Sequence, residues 1–502
     1  MYFTNFFKRF RLFEAMPVRD RIWVVWVAVV AAGFWAVSNA AAQPAPSTLP
    51  PPIAAALRQA GVPPDALSLV AGPLEARATP PLRWRASVPV NPASVMKLVT
   101  TYAALDLLGP EYTWSTAFYT DGTLQGGLLR GNLYIQGGGD PKWVVERVAA
   151  DLQALKKAGI QVVHGDVVLD GSIFQLPLAD PAAFDGEQLR PYNAAPDAVL
   201  VNFKSVVMNF SVDATARVAR VQYQPPLAGV STQATVPLSD GPCGDWRSTL
   251  GARLAQSDSI RFTGVYPARC GERTWPFAYV EPQTFAHRAL EGIWREQGGL
   301  LTGRVRSGGL PTNVRLLHVG TSLPLSDVVS DVNKFSNNVM AQQVFLTLGR
   351  GQGSSGAPAT FERARDIVQR WWGGRFGAQL APPVLENGSG LSRSERITGD
   401  ALFRLLQDAA GHPHADVLMR SLAVVGVDGT AARMGERGIL KHAIGQARVK
   451  TGSLRDVTAI AGYVNDRSGR LWAVVAIVNH SQAPQARPVM DAAIEWAAQQ
   501  AN

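Results

Sequence analysis

Apolar positions recur along this chain with three textures. Residues 53–60 carry them at helical spacing and end at Gly61, which predicts a short helix. Residues 67–74 and 82–87 read as two strands joined by a proline-containing turn. Helical spacing returns from Asn91 to Leu108, with Asn91 suited to an N-cap, Pro92 to the first helical position and Gly109-Pro110 to a stop. From about Tyr112 the texture changes to short alternating runs broken by glycines, at 131–141, 162–170 and 218–223. Helical periodicity resumes at 289–296. Ser326 suits the cap of a further helix, a turn at 336–338 leads into another reaching Leu348, and Thr398 opens a third over 398–406. Residues 458–464 and 471–479 predict two strands after the segment 448–453, and an amphipathic helix over 488–499 closes the chain. Asp140-Pro141 reads as a strand end, and Trp371-Trp372 as helix packing. Together these elements predict an α+β fold with an antiparallel sheet flanked by helices. Residues 43–111 and 286–502 form its two parts, separated by β-rich inserted domains over 112–285. No internal repeat of fixed period is present.

Composition changes this picture mainly at the N-terminus. The 502 residues are 47% hydrophobic and 17% charged, so the chain can bury a large core. Residues 22–37 form an uncharged, mostly apolar run, preceded by Lys8, Arg9, Arg11, Arg19 and Arg21 and followed by small residues. That order predicts a secretory signal over residues 1–42, cleaved before Gln43 or after Ala40, with Met1 or Met16 as the start. An uncleaved anchor is the alternative. Residues 43–52 then form a proline-rich tether. The net charge of +9 fits a polyanionic surface such as a membrane or cell wall. It is too diffuse for nucleic acid, and no nucleic-acid-binding motif is present. The two cysteines, Cys243 and Cys270, predict one disulfide in an exported chain. Neither they nor the seven scattered histidines stand at ligand spacing, so no metal is expected.

Candidate chemistry begins with Ser94 and Lys97, three apart and therefore on one helical face. A serine hydroxyl needs a base, and an amine supplies one when burial or a second cation lowers its pKa. Among all the lysines, only Lys97 has a serine three residues earlier. Ser336-x-Asn338 and Lys450-Thr451-Gly452 follow, the first at a predicted turn between helices and the second on a predicted strand. The ordered triple resembles the penicillin-recognising serine enzymes. Ser94 and Ser336 are 242 residues apart, too far for a domain of β-lactamase size. This spacing is similar to that of the D-alanyl-D-alanine carboxypeptidase/endopeptidase family of the penicillin-binding protein 4 type, class C of low molecular mass. Residues 137–141, 170–174, 387–393, 427–430 and 450–453 resemble that family too. Asn387 departs from it, standing where Asp is expected before Gly-Ser-Gly.

The resemblance implies a penicillin-recognising transpeptidase-like fold and hydrolysis of peptidoglycan stem peptides and crosslinks in the periplasm or cell envelope. Ser94 would be the nucleophile, Lys97 its base, Ser336 a proton relay, and Asn338 an orienter of Lys97 and of the substrate amide. Lys450 would supply positive potential, with Thr451, Gly452 and Ser453 holding the terminal carboxylate and the amides of Ser94 and Ser453 forming an oxyanion hole. An insert aspartate that binds the diaminopimelate side chain would be Asp170; its bland alternative is a turn residue bonded to backbone amides. β-Lactams would be covalent inhibitors, and no cofactor is needed. A β-lactamase of the same fold and an idle peptidoglycan-binding scaffold are the rival readings. Carboxypeptidase against endopeptidase preference, the third stem-peptide residue, peripheral membrane association and oligomeric state stay open at this stage.

Overall fold

The computed structural model describes residues 48–75, 80–350 and 357–501. The expected signal at 1–42 lies outside the described residues. Among the described ones, no helix is long and apolar enough to cross a membrane.

The frame is a six-stranded antiparallel sheet in the order Leu82–Trp84, Leu67–Pro73, Leu471–Asn479, Val457–Asn465, Ala447–Leu454 and Ala423–Val424. Its central strand Val457–Asn465 is buried at every position but the last, because helices cover both faces. Successive side chains point to opposite faces. Ala459, Ala461 and Tyr463 therefore pack with helices Lys97–Leu108, Asn338–Gly349 and Gly399–Ala410. Ile460 and Val464 pack on the other side, with Pro51–Gln59 and Arg487–Ala498. These layers match the predicted α+β class.

The insert has its own core and is larger than its sequence pattern suggests. Strands Val305–Ser307, Val167–Asp170, Leu133–Gln136, Ser115–Thr120 and Arg315–Thr321 make one sheet, and Tyr266–Pro267, Thr235–Ser239, Val218–Gln224, Ser205–Asp213 and Arg273–Ala278 another. The expected boundary at 285 falls inside helix Pro282–Glu296, whose Phe285, Leu290 and Trp294 belong to the insert core. The chain then returns to the first sheet as far as Thr321. Val305–Ser307 is only three residues long and pairs in parallel with a distant strand, so no local pattern announces it.

Smaller expectations also change. Ser326 caps nothing: Pro324 precedes helix Leu325–Lys334, and its start has no side-chain cap. Thr398 does cap its helix, accepting from the Ala401 amide at 3.0 Å. Asp140 closes the turn after its strand by accepting from the Lys142 amide, and Trp371 and Trp372 are buried on helix Phe361–Phe376. Cys243 and Cys270 are joined within the insert, with Cα atoms 4.8 Å apart.

The bridge closes a loop with a sequence separation of 27 residues. In the chain-entropy view it contributes about 3.5 kcal/mol. Replacing both cysteines by serine should lower the calorimetric unfolding temperature of the insert; an unshifted transition would show that the bond adds no stability.

Candidate active site

Ser94 does not sit in a straight α-helix, as its spacing from Lys97 suggests. It lies in the 3₁₀ turn Ala93–Met96, which feeds the α-helix Lys97–Leu108. Asn91 holds the entry to this turn: its Oδ1 accepts from the Ala93 amide at 2.8 Å and its Nδ2 donates to the Ser392 carbonyl at 2.9 Å. Asn479 clamps the same point from the sheet, with two 2.8 Å bonds to the Asn91 backbone. Ala93 is thereby held at φ +48°, and Ser336 in the second motif at φ +59°. Each costs an L-residue about 1–2 kcal/mol, so the surrounding bonds must enforce the conformation.

Two glycines let other backbones reach this turn. A Cβ on Gly452 would stand 2.6 Å from the Pro92 carbonyl oxygen and 3.2 Å from the Ser94 nitrogen. One on Gly390, at φ +78°, would stand 2.0 Å from the Ala93 oxygen. The strand Ala447–Leu454 and the loop at 387–393 thus close on the serine, backbone against backbone.

Lys97 is completely buried. Its Nζ lies 2.9 Å from Ser94 Oγ, 2.6 Å from Asn338 Oδ1 and 2.5 Å from the Ser389 carbonyl oxygen. A neutral amine has two hydrogens to donate and one lone pair. Asn338 and Ser389 can take the hydrogens, which turns the lone pair toward the Ser94 hydroxyl. Burial, and then the charge of Lys450, hold Lys97 well below the usual lysine pKa, while Glu395 acts the other way. Lys450 is also fully buried, and burial lowers its pKa to about 7. Its Nζ donates to Ser336 Oγ at 2.9 Å and to the Thr451 carbonyl at 2.8 Å. The three motifs are thus brought together around one amine and one hydroxyl.

Other residues behave differently from their sequence expectations. Asn338 turns its Nδ2 to the Tyr192 carbonyl of the insert at 3.0 Å, so in this state only its oxygen orients Lys97. Asp170 is 2% exposed; its carboxylate accepts from the Ser172 and Leu310 amides and from Gln136. It is absent from the lining of both lobes of the cleft at Ser94, and its bland reading as a turn residue is the one the geometry supports. The insert aspartate in the cleft is Asp185, which lines a lobe of about 530 Å³ with Phe184, Tyr192, Asn338, Arg393 and Ser453. A second lobe, of about 690 Å³, opens past Thr451. Thr451 Oγ1 donates to Thr430 Oγ1 at 2.7 Å, which gives the 427–430 stretch its place.

Glu395 belongs to no motif and was not expected at the site. Its Oε1 accepts from three successive amides, Glu386, Asn387 and Gly388, at 3.0, 3.1 and 3.0 Å. Its Oε2 is buried without a hydrogen-bond partner, and burial raises its pKa. This clamp fixes the loop that presents the Ser389 carbonyl to Lys97. It also accounts for Asn387, because the loop carboxylate comes from Glu395 while Asn387 Nδ2 donates to the Leu391 carbonyl at 3.0 Å. Aspartate could not make that donation. Among the described residues no group of three or more His, Cys, Asp or Glu side chains could hold a metal ion.

The sequence pattern of the D-Ala-D-Ala carboxypeptidase 3 (S13) family matches residues 59–500. A D-alanyl-D-alanine carboxypeptidase of Actinomadura sp. (strain R39) is 29% identical over 421 residues, covering 80% of this chain and 75% of the relative. The D-alanyl-D-alanine carboxypeptidase DacB of Haemophilus influenzae is 26% identical over 397 residues, 77% and 80% of the two chains. The fold is similar to the crystal structure of penicillin binding protein 4 (dacB) from Haemophilus influenzae, with a TM-score of 0.67 at 22% identity over 87% of this chain and 97% of that one.

The charges facing Lys97 are Lys450 from the strand and Glu395 from the loop. Glu395→Gln keeps an acceptor for the three amides and removes only the charge that favours protonated Lys97. The acid limb of Ser94 acylation by an active ester should therefore move to lower pH, read from kcat/KM against pH. An unmoved limb would show that Glu395 carries no charge that Lys97 senses.

Proposed function

Because the chain belongs to the D-Ala-D-Ala carboxypeptidase 3 (S13) family, we propose that Ser94 is the acylated nucleophile of a penicillin-binding serine D-alanyl-D-alanine peptidase acting on peptidoglycan. The observation that carries the residue assignment is the environment of Lys97. It is a buried amine with two acceptors behind it and the Ser94 hydroxyl in front.

In this mechanism Ser94 Oγ attacks the carbonyl of the penultimate D-Ala and passes its proton to Lys97 Nζ. The amides of Ser94 and Ser453 receive the oxyanion, each donor contributing roughly 3 kcal/mol in comparable sites. The tetrahedral intermediate collapses as its C–N bond breaks, and the leaving amine takes a proton relayed through Ser336. Lys450, bonded to Ser336, sets the positive potential there and attracts the substrate carboxylate. Thr451 and Ser453 hold the carboxylate of the leaving residue, and Gly452 keeps the strand close enough for them to do so. Water then releases the acyl group from Ser94. A β-lactam enters the same path and acylates Ser94 as a covalent inhibitor. Hydrolysis as a β-lactamase would need a further base for water; Glu395 is not free for that work, because three backbone amides hold its Oε1.

The insert aspartate role implied by the family resemblance passes to Asp185. With Arg393 in the same lobe it presents a carboxylate and a guanidinium, which suits a stem-peptide side chain bearing an amine and a carboxylate. The N-terminal basic and apolar pattern supports export to the cell envelope, where this substrate resides. The basic excess of the remaining chain supports peripheral contact with an anionic envelope surface.

Ser94→Ala should abolish labelling by fluorescent penicillin and release of D-Ala from a pentapeptide, with an unchanged melting temperature. A labelled, active variant would assign the nucleophile elsewhere.

The two lysines should fail differently. Lys97→Ala should slow acylation by every substrate, whereas Lys450→Ala should slow a thioester with a free carboxylate more than its methyl ester. A charge-assisted hydrogen bond of roughly 1.5–3 kcal/mol corresponds to a selective loss of about 10- to 150-fold in kcat/KM. Equal slowing of both substrates would remove Lys450 from the carboxylate site and leave it in the proton relay.

A further inference from the structure

A groove away from Ser94 runs along the junction of the insert with the helical layer. It has two lobes, of about 500 and 440 Å³, each within the size range of small-molecule sites. Pro177, Gln342 and Phe361 line both, so the lobes are continuous. Phe174, Ala198, Leu346 and Ala359 form a small buried cluster beneath them. Ala359 donates to the Ile173 carbonyl at 2.8 Å and accepts from the Gln175 amide at 2.9 Å. That pairing fastens the insert wall of the groove to the approach of helix Phe361–Phe376.

Gln342 stands where the lobes join, on helix Asn338–Gly349. It is 8% exposed, yet its side-chain amide bonds to no described residue. Its neighbour Gln343 shows how the fold treats a buried amide. Gln343 Nε2 donates to the Gly139 and Asp197 carbonyls, and its Oε1 accepts from the Asp197 amide. An amide buried without partners costs stability, so the interior gives no reason for Gln342 to be polar. A ligand in the groove does. Gln175, Gln188 and Gln283 add further side-chain amides to the same lining, again without partners among the described residues.

The charges of the lining are accounted for inside the fold. Lys204 pairs with Asp197 at 2.9 Å, and Arg365 donates to the Glu386 carbonyl at 2.9 Å. The Glu386 carboxylate takes the hydroxyls of Ser392 and Ser394. Glu362 sits in the first turn of its helix, where the macrodipole favours an acid. What remains is neutral: amides that both donate and accept, set between the apolar surfaces of Pro177, Pro181, Pro282 and Phe361. Leu178, 85% exposed, extends the apolar rim. Such a lining suits sugar rings, with hydroxyls around their edges and C–H groups on their faces. It suits N-acetyl groups too, which pair with side-chain amides. A stem peptide would leave its carboxylates and amine unmatched here.

We propose that this groove is a saccharide site, separate from the Ser94 cleft, that binds a chain of N-acetylated amino sugars, with Gln342 pairing an N-acetyl group. The choice of sugar rests on the peptidase reading, because the stem peptides of peptidoglycan hang from such a chain. One segment of the insert walls both sites. Phe184, Asp185 and Tyr192 face the Ser94 lobe, and Pro177, Gln188 and Ala194 face the groove. A stem peptide at Asp185 and the glycan that carries it thus meet opposite faces of one wall.

The test titrates the full protein calorimetrically with a tetramer of β-1,4-linked N-acetylglucosamine. Cellotetraose, which has the same rings and linkage without acetamides, is the control. The wild type should bind the tetramer about 10-fold more tightly than cellotetraose. Gln342→Leu should weaken the tetramer about 10-fold and Leu178→Ser about 3-fold. Leu178 is exposed, so its variant keeps the test valid should Gln342→Leu fail to fold. Penicillin acylation and hydrolysis of a sugar-free pentapeptide should stay within about two-fold in both variants. On a pentapeptide carried by a tetrasaccharide, KM should rise by the same factors with kcat unchanged. A wild type that ignores the tetramer at millimolar concentration, or binds cellotetraose equally, would overturn the site. So would unchanged tetramer affinity in both variants, or an equal rise in KM on the sugar-free pentapeptide, which would put peptide in the groove. Selective tetramer binding by a protein that hydrolyses no stem peptide would uphold the site and overturn the peptidase reading.

Discussion

Two ammonium-bearing side chains, Lys97 and Lys450, are buried side by side in the same pocket of protein, and the rest of the structure depends on making that tolerable. Two like charges without water would cost far more than the fold can supply. The solution is to let neither behave as an ordinary lysine. Lys97 is surrounded by the partners of a neutral amine, and Lys450 titrates near neutrality. Because bulk water does not reach the first amine, its lone pair has one partner to turn to, the serine hydroxyl. Burial that would count against stability elsewhere here leaves Lys97 an amine with a lone pair free to accept a proton.

That arrangement demands a rigid support, and the frame supplies it through close backbone approach. Three segments remote in sequence meet at Ser94: the turn after Asn91, the loop around Gly390 and the strand at Gly452. Backbone-to-backbone approach leaves little room for adjustment, so the position of Ser94 is set by the sheet and by the 387–393 loop together. Glu395 secures that loop from beneath. The insert takes part as well, because the Tyr192 carbonyl fixes the amide of Asn338, whose oxygen in turn fixes Lys97. Lys97 is therefore held by the helical layer, the loop and the insert at once.

The grouping of the candidate side chains was legible in sequence because each motif is compact: Ser94 with Lys97, Ser336 with Asn338, Lys450 with Thr451. The long strands of the sheet were legible too, since Val457–Asn465 and Leu471–Asn479 are apolar runs bounded by polar residues. What failed depends on residues far apart in the chain. The 3₁₀ turn at Ser94 arises because Asn91 is held by Ser392 and Asn479, which no window of sequence joins. The insert runs past 285 because three-residue strands pair in parallel across distant segments. Asp170 and Asp185 are both aspartates next to turns, and only the folded insert decides which faces the cleft. Glu395 looks like a surface acid in an Arg/Ser-rich loop, and its burial follows from three amides converging on it.

The pairing of Leu67–Pro73 with Leu471–Asn479 has a further consequence for the life of the chain. Leu69 faces Ala476, so one strand of this pair must wait for a partner that lies far later in the chain. The insert, whose strands find their partners within its own span, can fold before that late strand is in place. The layers around Ser94 cannot. Its turn is held by Asn479, the last residue of that late strand, so Ser94 stays without its surrounding geometry until that strand has docked. The geometry around Ser94 is therefore completed in one late step of folding.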